Sequence, residues 1–223
     1  MAAAFDRAAL GSILREGAQS LGLNLSQDQV EKLLDYLALL IKWNAVYNLT
    51  SVRDPRQMVT QHLLDAMASL PAFASAAHVL DVGSGGGLPG VVLAIWAQEA
   101  QPQMRIDMID TVSKKTAFLT QVKVELRLTN TTIHTGRVEA LQVKQKFDRI
   151  TSRAFAELAD FINWSGHLLE EGGQMIALKG QAPSEEMTRI PQGWRVEQLL
   201  ALQVPGMDAQ RHLVIIERAG ASQ

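Results

Sequence analysis

Cysteine is absent from this sequence. That excludes a disulfide framework, a thiolate zinc site and a cysteine nucleophile, and it agrees with a reducing compartment. The five histidines are scattered without metal-ligand spacing, so no metal is expected. No run approaches the roughly 18 consecutive apolar residues of a membrane-spanning helix. The start, Met1-Ala2-Ala3-Ala4-Phe5-Asp6-Arg7, has neither the basic opening nor the apolar stretch of a signal peptide. A cytoplasmic protein free of membrane contact is the expectation. No Pro/Gly/Ser-rich linker, internal repeat or low-complexity tract interrupts the 223 residues, and a hydrophobic content of 47% suffices for a substantial core. One compact body, acting as a monomer, is expected.

Net charge is also small, at −2, but its distribution is uneven. Residues 105–153 carry ten Lys/Arg against five acids, whereas residues 154–223 carry five against nine. A central basic region can face an anionic polymer such as RNA, although an ordinary solvated surface explains it equally well.

The first 75 residues read as helical. Ser26 can cap a helix, with Gln29 completing a capping box and Leu25 facing Val30 as a staple. Val30, Leu33, Leu34, Leu37, Leu40 and Ile41 then follow helical spacing to an end near Asn44–Asn48. Pro55 can open a further helix through Met58, Val59, Leu63, Leu64 and Met67. From His78 the pattern changes to strands alternating with helices. Strands are expected at 78–82, 105–110, 131–134, 147–152 and 174–179, with helices at 90–98 (Pro89 in the first turn), 114–128 and 157–169. Strands at 195–204 and 212–217 follow with no helix between them. Alternation implies a parallel sheet, and a closing hairpin makes it mixed. The expected architecture is therefore α/β: a helical extension over 1–75, then a seven-stranded mixed sheet with a C-terminal antiparallel hairpin over 76–223.

The first strand runs into Asp81-Val82-Gly83-Ser84-Gly85-Gly86-Gly87. A strand ending in a glycine-rich turn that opens a helix is a nucleotide-type site, because glycine lets the backbone adopt unusual dihedrals and approach a ligand closely. Gly85 to Gly90 fits G-x-G-x-x-G, the pyrophosphate spacing. Gly83 to Gly87 fits the tighter G-x-G-x-G spacing of S-adenosylmethionine (AdoMet) enzymes. Asp81 just before the glycines favours AdoMet, as does the short hairpin ending, which leaves little room for a dehydrogenase's substrate domain. Asp110 ends the second strand, 23 residues after Gly87, where a carboxylate can accept hydrogen bonds from both ribose hydroxyls. That feature suits NAD and AdoMet alike. An ordinary strand–helix turn, and a helix-capping acid, are the plainer alternatives for the glycines and for Asp110.

Six motifs in order resemble one bacterial family. They are Trp43-Asn44-Ala45-Val46-Tyr47-Asn48-Leu49-Thr50, His62-Leu63-Leu64-Asp65, the loop from Asp81 to Gly90, Ser152-Arg153-Ala154-Phe155, Ala177-Leu178-Lys179-Gly180, and Arg211-His212-Leu213-Val214. The family is RsmG (glucose-inhibited division protein B), whose members methylate N7 of one guanine in 16S ribosomal RNA of the small subunit. The resemblance implies a Rossmann-like class I AdoMet methyltransferase fold. It also implies AdoMet contacts at Gly83 and Leu88, at Val138-Glu139 and at Arg153, beside Gly85 and Gly87, which the loop spacing itself makes candidates. The sequence departs from the family at Ala66, where Ser is usual, and at Lys115, where Arg is usual; both bear on RNA contact rather than on the glycine loop.

Transfer to guanine N7 needs no strong general base, since that atom has a free lone pair and no proton. The absence of a nucleophile–base set agrees with in-line displacement, and so does the lack of an Asn-Pro-Pro-Tyr run after the fourth strand. Arg153 is the candidate catalytic residue, able to bond O6 of the guanine as well as the cofactor. Phe155 could stack on an extruded guanine, although a core aromatic is the plainer role. His62 and Asn48 could shape the pocket, and Lys114, Lys115, Lys123 and Arg127 could contact phosphates. Two other functions stay open. A small NAD(P)-linked oxidoreductase lacks its Tyr-x-x-x-Lys pair, since Tyr36 and Tyr47 both precede the glycine loop. A non-catalytic RNA-binding module would keep the fold without transfer. Replacing Asp110 by Ala is expected to weaken AdoMet binding with little effect on folding, which calorimetry and thermal denaturation of the ligand-free protein check.

Overall fold

A computed structural model describes residues 5–220; the expected lack of a signal peptide falls partly on residues 1–4, which lie outside the described residues. The chain opens with α1 (Arg7–Ser20), capped by the Asp6 side chain on the Ala9 N–H, and α2 (Gln27–Tyr47). The capping box at Ser26 and Gln29 forms as the sequence implies, and Ser26 Oγ also donates to Glu99 at 2.6 Å. Asn48 ends α2 in the left-handed region, φ 50°.

The helix expected from Pro55 is interrupted. After α3 (Pro55–Met58) comes a π-helical stretch (Val59–Leu64), followed directly by α4 (Asp65–Met67). Apolar spacing does not reveal such a widened turn, because its buried residues still recur every three to four positions. π-Turns inside helices often mark functional sites.

Seven strands form one sheet, β1 (His78–Val82), β2 (Arg105–Asp110), β3 (Thr131–Thr135), β4 (Phe147–Arg153), β5 (Leu169–Lys179), β6 (Trp194–Leu202) and β7 (Arg211–Arg218), in the order β3-β2-β1-β4-β5-β7-β6. The first five are parallel, and β7 runs antiparallel between β5 and β6. This is the expected mixed sheet with a closing hairpin. The order turns back on itself between β1 and β4. At such a switch point the connections leave in opposite directions and open a crevice at the C-terminal strand ends.

Helices α5 (Gly90–Ala100) and α6 (Ser113–Glu125) cover one face, and α7 (Leu158–Ser165) covers the other. The N-terminal helices join the first face: Leu10, Leu37, Leu40 and Leu63 share one apolar cluster with Val79, Val92, Ile106 and Leu119. Pro89 stands at the cap of α5 rather than in its first turn, and α6 stops at Glu125, three residues short of expectation, with Arg127 at φ 53°. The fifth strand begins five residues early, at Leu169, because Leu169 pairs with Phe147 before the polar Glu170-Glu171-Gly172-Gly173 stretch. Among the described residues no helix is long and apolar enough to cross a membrane.

Ser26→Ala removes both the cap and the tie to α5. It should cost about 1 kcal/mol, read as a lowered urea midpoint at unchanged slope.

Candidate active site

The glycine loop is fastened to the sheet by its own hydrogen bonds. The Gly83 and Ser84 N–H groups both donate to the Ile109 carbonyl, at 3.0 and 3.1 Å, and Ser84 Oγ donates to the Asp81 carbonyl at 2.8 Å. Gly83 has φ 68°, and a Cβ there would lie 2.3 Å from the Phe155 ring, so the position demands glycine twice over. Gly85, at φ 54°, has only the Gly83 carbonyl within 4 Å of the place a Cβ would occupy, so open space faces the loop. The buried Tyr36 hydroxyl donates to the Gly86 carbonyl, anchoring the loop from α2. Nothing in the sequence pattern distinguishes Tyr36 from an ordinary core aromatic.

Two carboxylates flank the loop. Asp81 is fully buried; Oδ2 accepts from the Gly90 N–H at 3.0 Å, holding the start of α5, while Oδ1 has no partner. Burial pushes its carboxyl up to about 7, against the opposing pull of the Gly90 N–H and Arg153. Asp110 accepts from Gly85 N–H at 3.0 Å and Val112 N–H at 2.9 Å, with Lys115 Nζ at 3.5 Å. Oδ1 accepts only from Val112 and keeps a further lone pair, and the 3.5 Å contact of Lys115 with Oδ2 is long enough to yield to a ribose hydroxyl. The carboxylate also ties two chain segments together. Against the expectation that Asp110→Ala has little effect on folding, these bonds imply that the ligand-free protein should lose stability as well.

Two cavities open on either side of Gly83, Lys115 and Ala154. The smaller, about 320 Å³, is lined by Asp110, Val138, Glu139, Phe155 and Trp164 among others. A carboxylate at one end and apolar and aromatic walls at the other suit a nucleoside. Phe155 stands edge-on to Trp164 with ring centroids 5.7 Å apart. It therefore walls this nucleoside-sized cavity and does not line the larger one. Val138 is buried in a short 3-10 turn, and Glu139 is held by Arg137 at 2.7 Å.

The larger cavity, about 450 Å³, is lined by Gly83 to Gly86, Leu88, Leu49, Thr50, Asp65, Arg153, Lys179 and Arg211. All six motifs meet here. Asp65 is the centre: its side chain is 4% exposed, Oδ2 accepts from Arg153 at 2.9 Å and Oδ1 from Arg211 at 2.8 Å. Arg153 also donates to the Gln61 carbonyl within the π-turn, at 3.1 Å. Ala154, next in the chain, takes φ 53°, a conformation non-glycine residues adopt at some cost. Asn44 holds the Leu49–Thr50 loop by accepting from the Thr50 N–H at 2.9 Å. His62 Nε2 meets Thr50 Oγ1 at 2.8 Å; burial, and then Arg153, lower its pKa to about 4, so its ring is neutral at neutral pH. Asn48 is exposed and bonded to Arg53, so it caps a helix instead of shaping the pocket.

Lys123 donates to the Thr131 carbonyl at 2.6 Å, and Lys115 turns to Asp110, so the four cations expected on one phosphate-binding helix do not act together. Nor are the histidines all scattered: His78 and His134 converge on Asp107 at 3.2 and 2.7 Å. Burial raises the Asp107 carboxyl, but the two imidazoles outweigh it and hold it at about 2.

The profile of the rRNA small subunit methyltransferase G family matches residues 29–214. Ribosomal RNA small subunit methyltransferase G of Herminiimonas arsenicoxydans is 66% identical over 96% of this chain and 99% of its own, and that of Burkholderia pseudomallei is 54% identical over 95% and 93%. Among solved structures, TrmN from Thermus thermophilus superposes with a TM-score of 0.54 at 18% identity, covering 72% of this chain and 53% of its own. The N-methyltransferase NodS from Bradyrhizobium japonicum, in complex with S-adenosyl-L-homocysteine, gives a TM-score of 0.54 at 12% identity over 80% and 98%. At such identities the structural likeness establishes the methyltransferase fold.

Asp81 gives a pH-linked prediction. Its folded pKa near 7 stands above the ordinary 3.8, so its contribution to stability is complete below about pH 4 and is lost as pH rises to 7. Urea unfolding of the ligand-free protein should show this as a slope of at most about 1.4 kcal/mol per pH unit relative to Asp81→Asn. Parallel stability curves for the two proteins would refute it.

Proposed function

The chain belongs to the rRNA small subunit methyltransferase G family, and from that premise we propose that it methylates N7 of a guanine in 16S rRNA at the paired cavities beside the glycine loop. It is an AdoMet-dependent rRNA methyltransferase. The observation that carries the detailed reading is the division of the crevice into a nucleoside-sized cavity at Asp110 and a larger, cation-lined cavity at Arg153, separated by Gly83. In this reading Asp110 accepts the ribose hydroxyls, and Val138, Glu139, Phe155 and Trp164 enclose the adenine. Gly85 and Leu88 border the space for the amino acid end, whereas Gly87, expected to touch the cofactor, lines neither cavity: a Cβ there would lie 2.5 Å from Val91 and 2.8 Å from Leu119, so its bare backbone serves the packing of the loop on α5 and α6.

AdoMet supplies a methyl carbon already activated by its sulfonium. The protein's work is then alignment and exclusion of water, which can contribute about 7–11 kcal/mol. Arg153, its guanidinium oriented by Asp65 and the Gln61 carbonyl, borders the cofactor on one side and is placed to donate to guanine O6 on the other. N7 carries no proton, so the neutral His62 has none to accept; its bond to Thr50 keeps the cavity wall in place. We take residues 1–75 and 76–223 to act as one body, a monomer in the cytoplasm.

Calorimetry should give micromolar AdoMet binding and none with NADH. Tritiated methyl groups should enter unmethylated small subunits or naked 16S rRNA, and alkaline cleavage should place them at guanine N7. AdoMet bound without incorporation into either substrate favours a binding module instead. Arg153→Ala should lower transfer by roughly 100-fold, the scale of a misplaced reacting group; wild-type turnover would remove Arg153 from the mechanism.

A further inference from the structure

One surface beside the larger cavity is unexplained by anything above. Tyr47, in the last turn of α2, leaves 42% of its surface exposed, with Val46 beside it at 70% and Val112 at 43%. Exposed large apolar groups gathered in one region of a surface often mark a place where something binds. The ring is not loose. It packs on Trp43 at a centroid distance of 5.1 Å, and Trp43 is fixed in turn by the buried Phe118 and by a 2.9 Å hydrogen bond from its indole nitrogen to Gln121. Over the ring, at 5.2 Å, lies the ammonium of Lys114.

Three cations stand at this end of α2 and the start of α6, against one carboxylate, Glu125, bonded to Gln121 beside Trp43. Lys42 lies one turn before Val46 on α2, and Arg53 reaches back to the Asn44 carbonyl and Asn48 at the end of that helix. Lys42, Arg53 and Lys114 are exposed, and among the described residues none is paired with a carboxylate. The patch also adjoins the site at both ends. Leu49 and Thr50, two and three residues beyond Tyr47, line the larger cavity, and Lys115, next to Lys114, lines both cavities.

An exposed, rigidly backed aromatic ring among unpaired cations fits a nucleobase with its flanking phosphates. Stacking on aromatic side chains is how single-stranded RNA is generally gripped. Resting on the RNA reading above, we propose that Tyr47 is a stacking platform for a single-stranded base next to the methylated guanine, with Lys114, Arg53 and Lys42 taking the adjoining phosphates. Lys114 exchanges the ring for a phosphate when the base arrives. A base held here fixes the strand's direction and sets the guanine over the larger cavity.

The test uses the full chain, a labelled ten-nucleotide purine-rich RNA followed by fluorescence anisotropy, and methyl transfer to naked 16S rRNA and to small subunits. Tyr47→Leu, which keeps bulk but removes the π face, should weaken oligonucleotide binding about tenfold and raise the KM for naked rRNA equally. kcat and the AdoMet affinity should stay within about twofold, and Tyr47→Phe should restore binding. Lys114→Gln should reduce the salt slope of binding by about 0.7. Equal RNA affinity for wild type and Tyr47→Leu overturns the proposal. So does a defect confined to small subunits, which would assign the patch to a ribosomal protein. Wild-type protein that binds RNA through Tyr47 but transfers no methyl would instead sink the catalytic reading and leave the platform standing.

Discussion

The carboxylate of Asp65 holds the larger cavity together. It lies between two guanidiniums drawn from positions 88 and 146 residues further along the chain. Burying a carboxylate between two cations gains little net stability, because desolvation offsets most of the attraction; removing one partner of such a set typically costs about 3–5 kcal/mol. The arrangement is therefore better understood as a device for geometry. It commits the start of β7, the end of β4 and the end of the π-turn to one mutual position. It also spends part of each arginine's donor capacity in fixing the direction of the rest. Arg153 arrives at the cavity already oriented, which is what a reaction limited by alignment requires.

The glycine loop obeys the same logic through uncharged contacts. Its carbonyls and N–H groups are taken by bonds within the protein, to Tyr36, Ile109, Asp110 and Ser84. A loop fixed in this way loses little conformational entropy when it closes on a cofactor. The open space at Gly85 is then a preformed volume rather than a consequence of flexibility. The costs are backbone strain at Ala154, at φ 53°, and a buried carboxyl at Asp81 that holds its proton up to about pH 7.

Much of this was legible in the sequence, for identifiable reasons. β1, β2 and the hairpin stood out because apolar runs end abruptly at glycine or at an acid, and Ser26–Gln29 carries its own hydrogen-bond pattern. What escaped was everything that depends on partners distant in sequence. Asp65 looked like part of a motif with no stated task until β4 and β7 brought two arginines to it. Tyr36 is one helical core residue among many until its hydroxyl is seen on Gly86. The π-turn has no periodic signature, and the early start of β5 is hidden by two glutamates that face outward. Phe155 was considered as a stacking partner for guanine, yet its ring walls the cavity at Asp110 and covers Gly83.

The basic region shows most clearly why composition alone misleads. Of its ten cations, Arg105, Lys115, Lys123, Arg137, Arg149 and Arg153 are all hydrogen-bonded within the protein. Their positive charge largely serves to hold strands, loops and carboxylates in place. With a net charge of −2 the molecule has no strong overall field to draw RNA in from a distance. At physiological salt, exposed charges are screened within about 8 Å, so attraction must come from cations close to the bound strand. Lys114 and Lys42 stand in such a position, with Arg53, itself held by Asn44 and Asn48, beside an aromatic ring near the cavity. Selectivity for one guanine must then come chiefly from contacts made at the crevice itself. That places the burden of recognition on the same few square ångströms that the Asp65 carboxylate keeps in order.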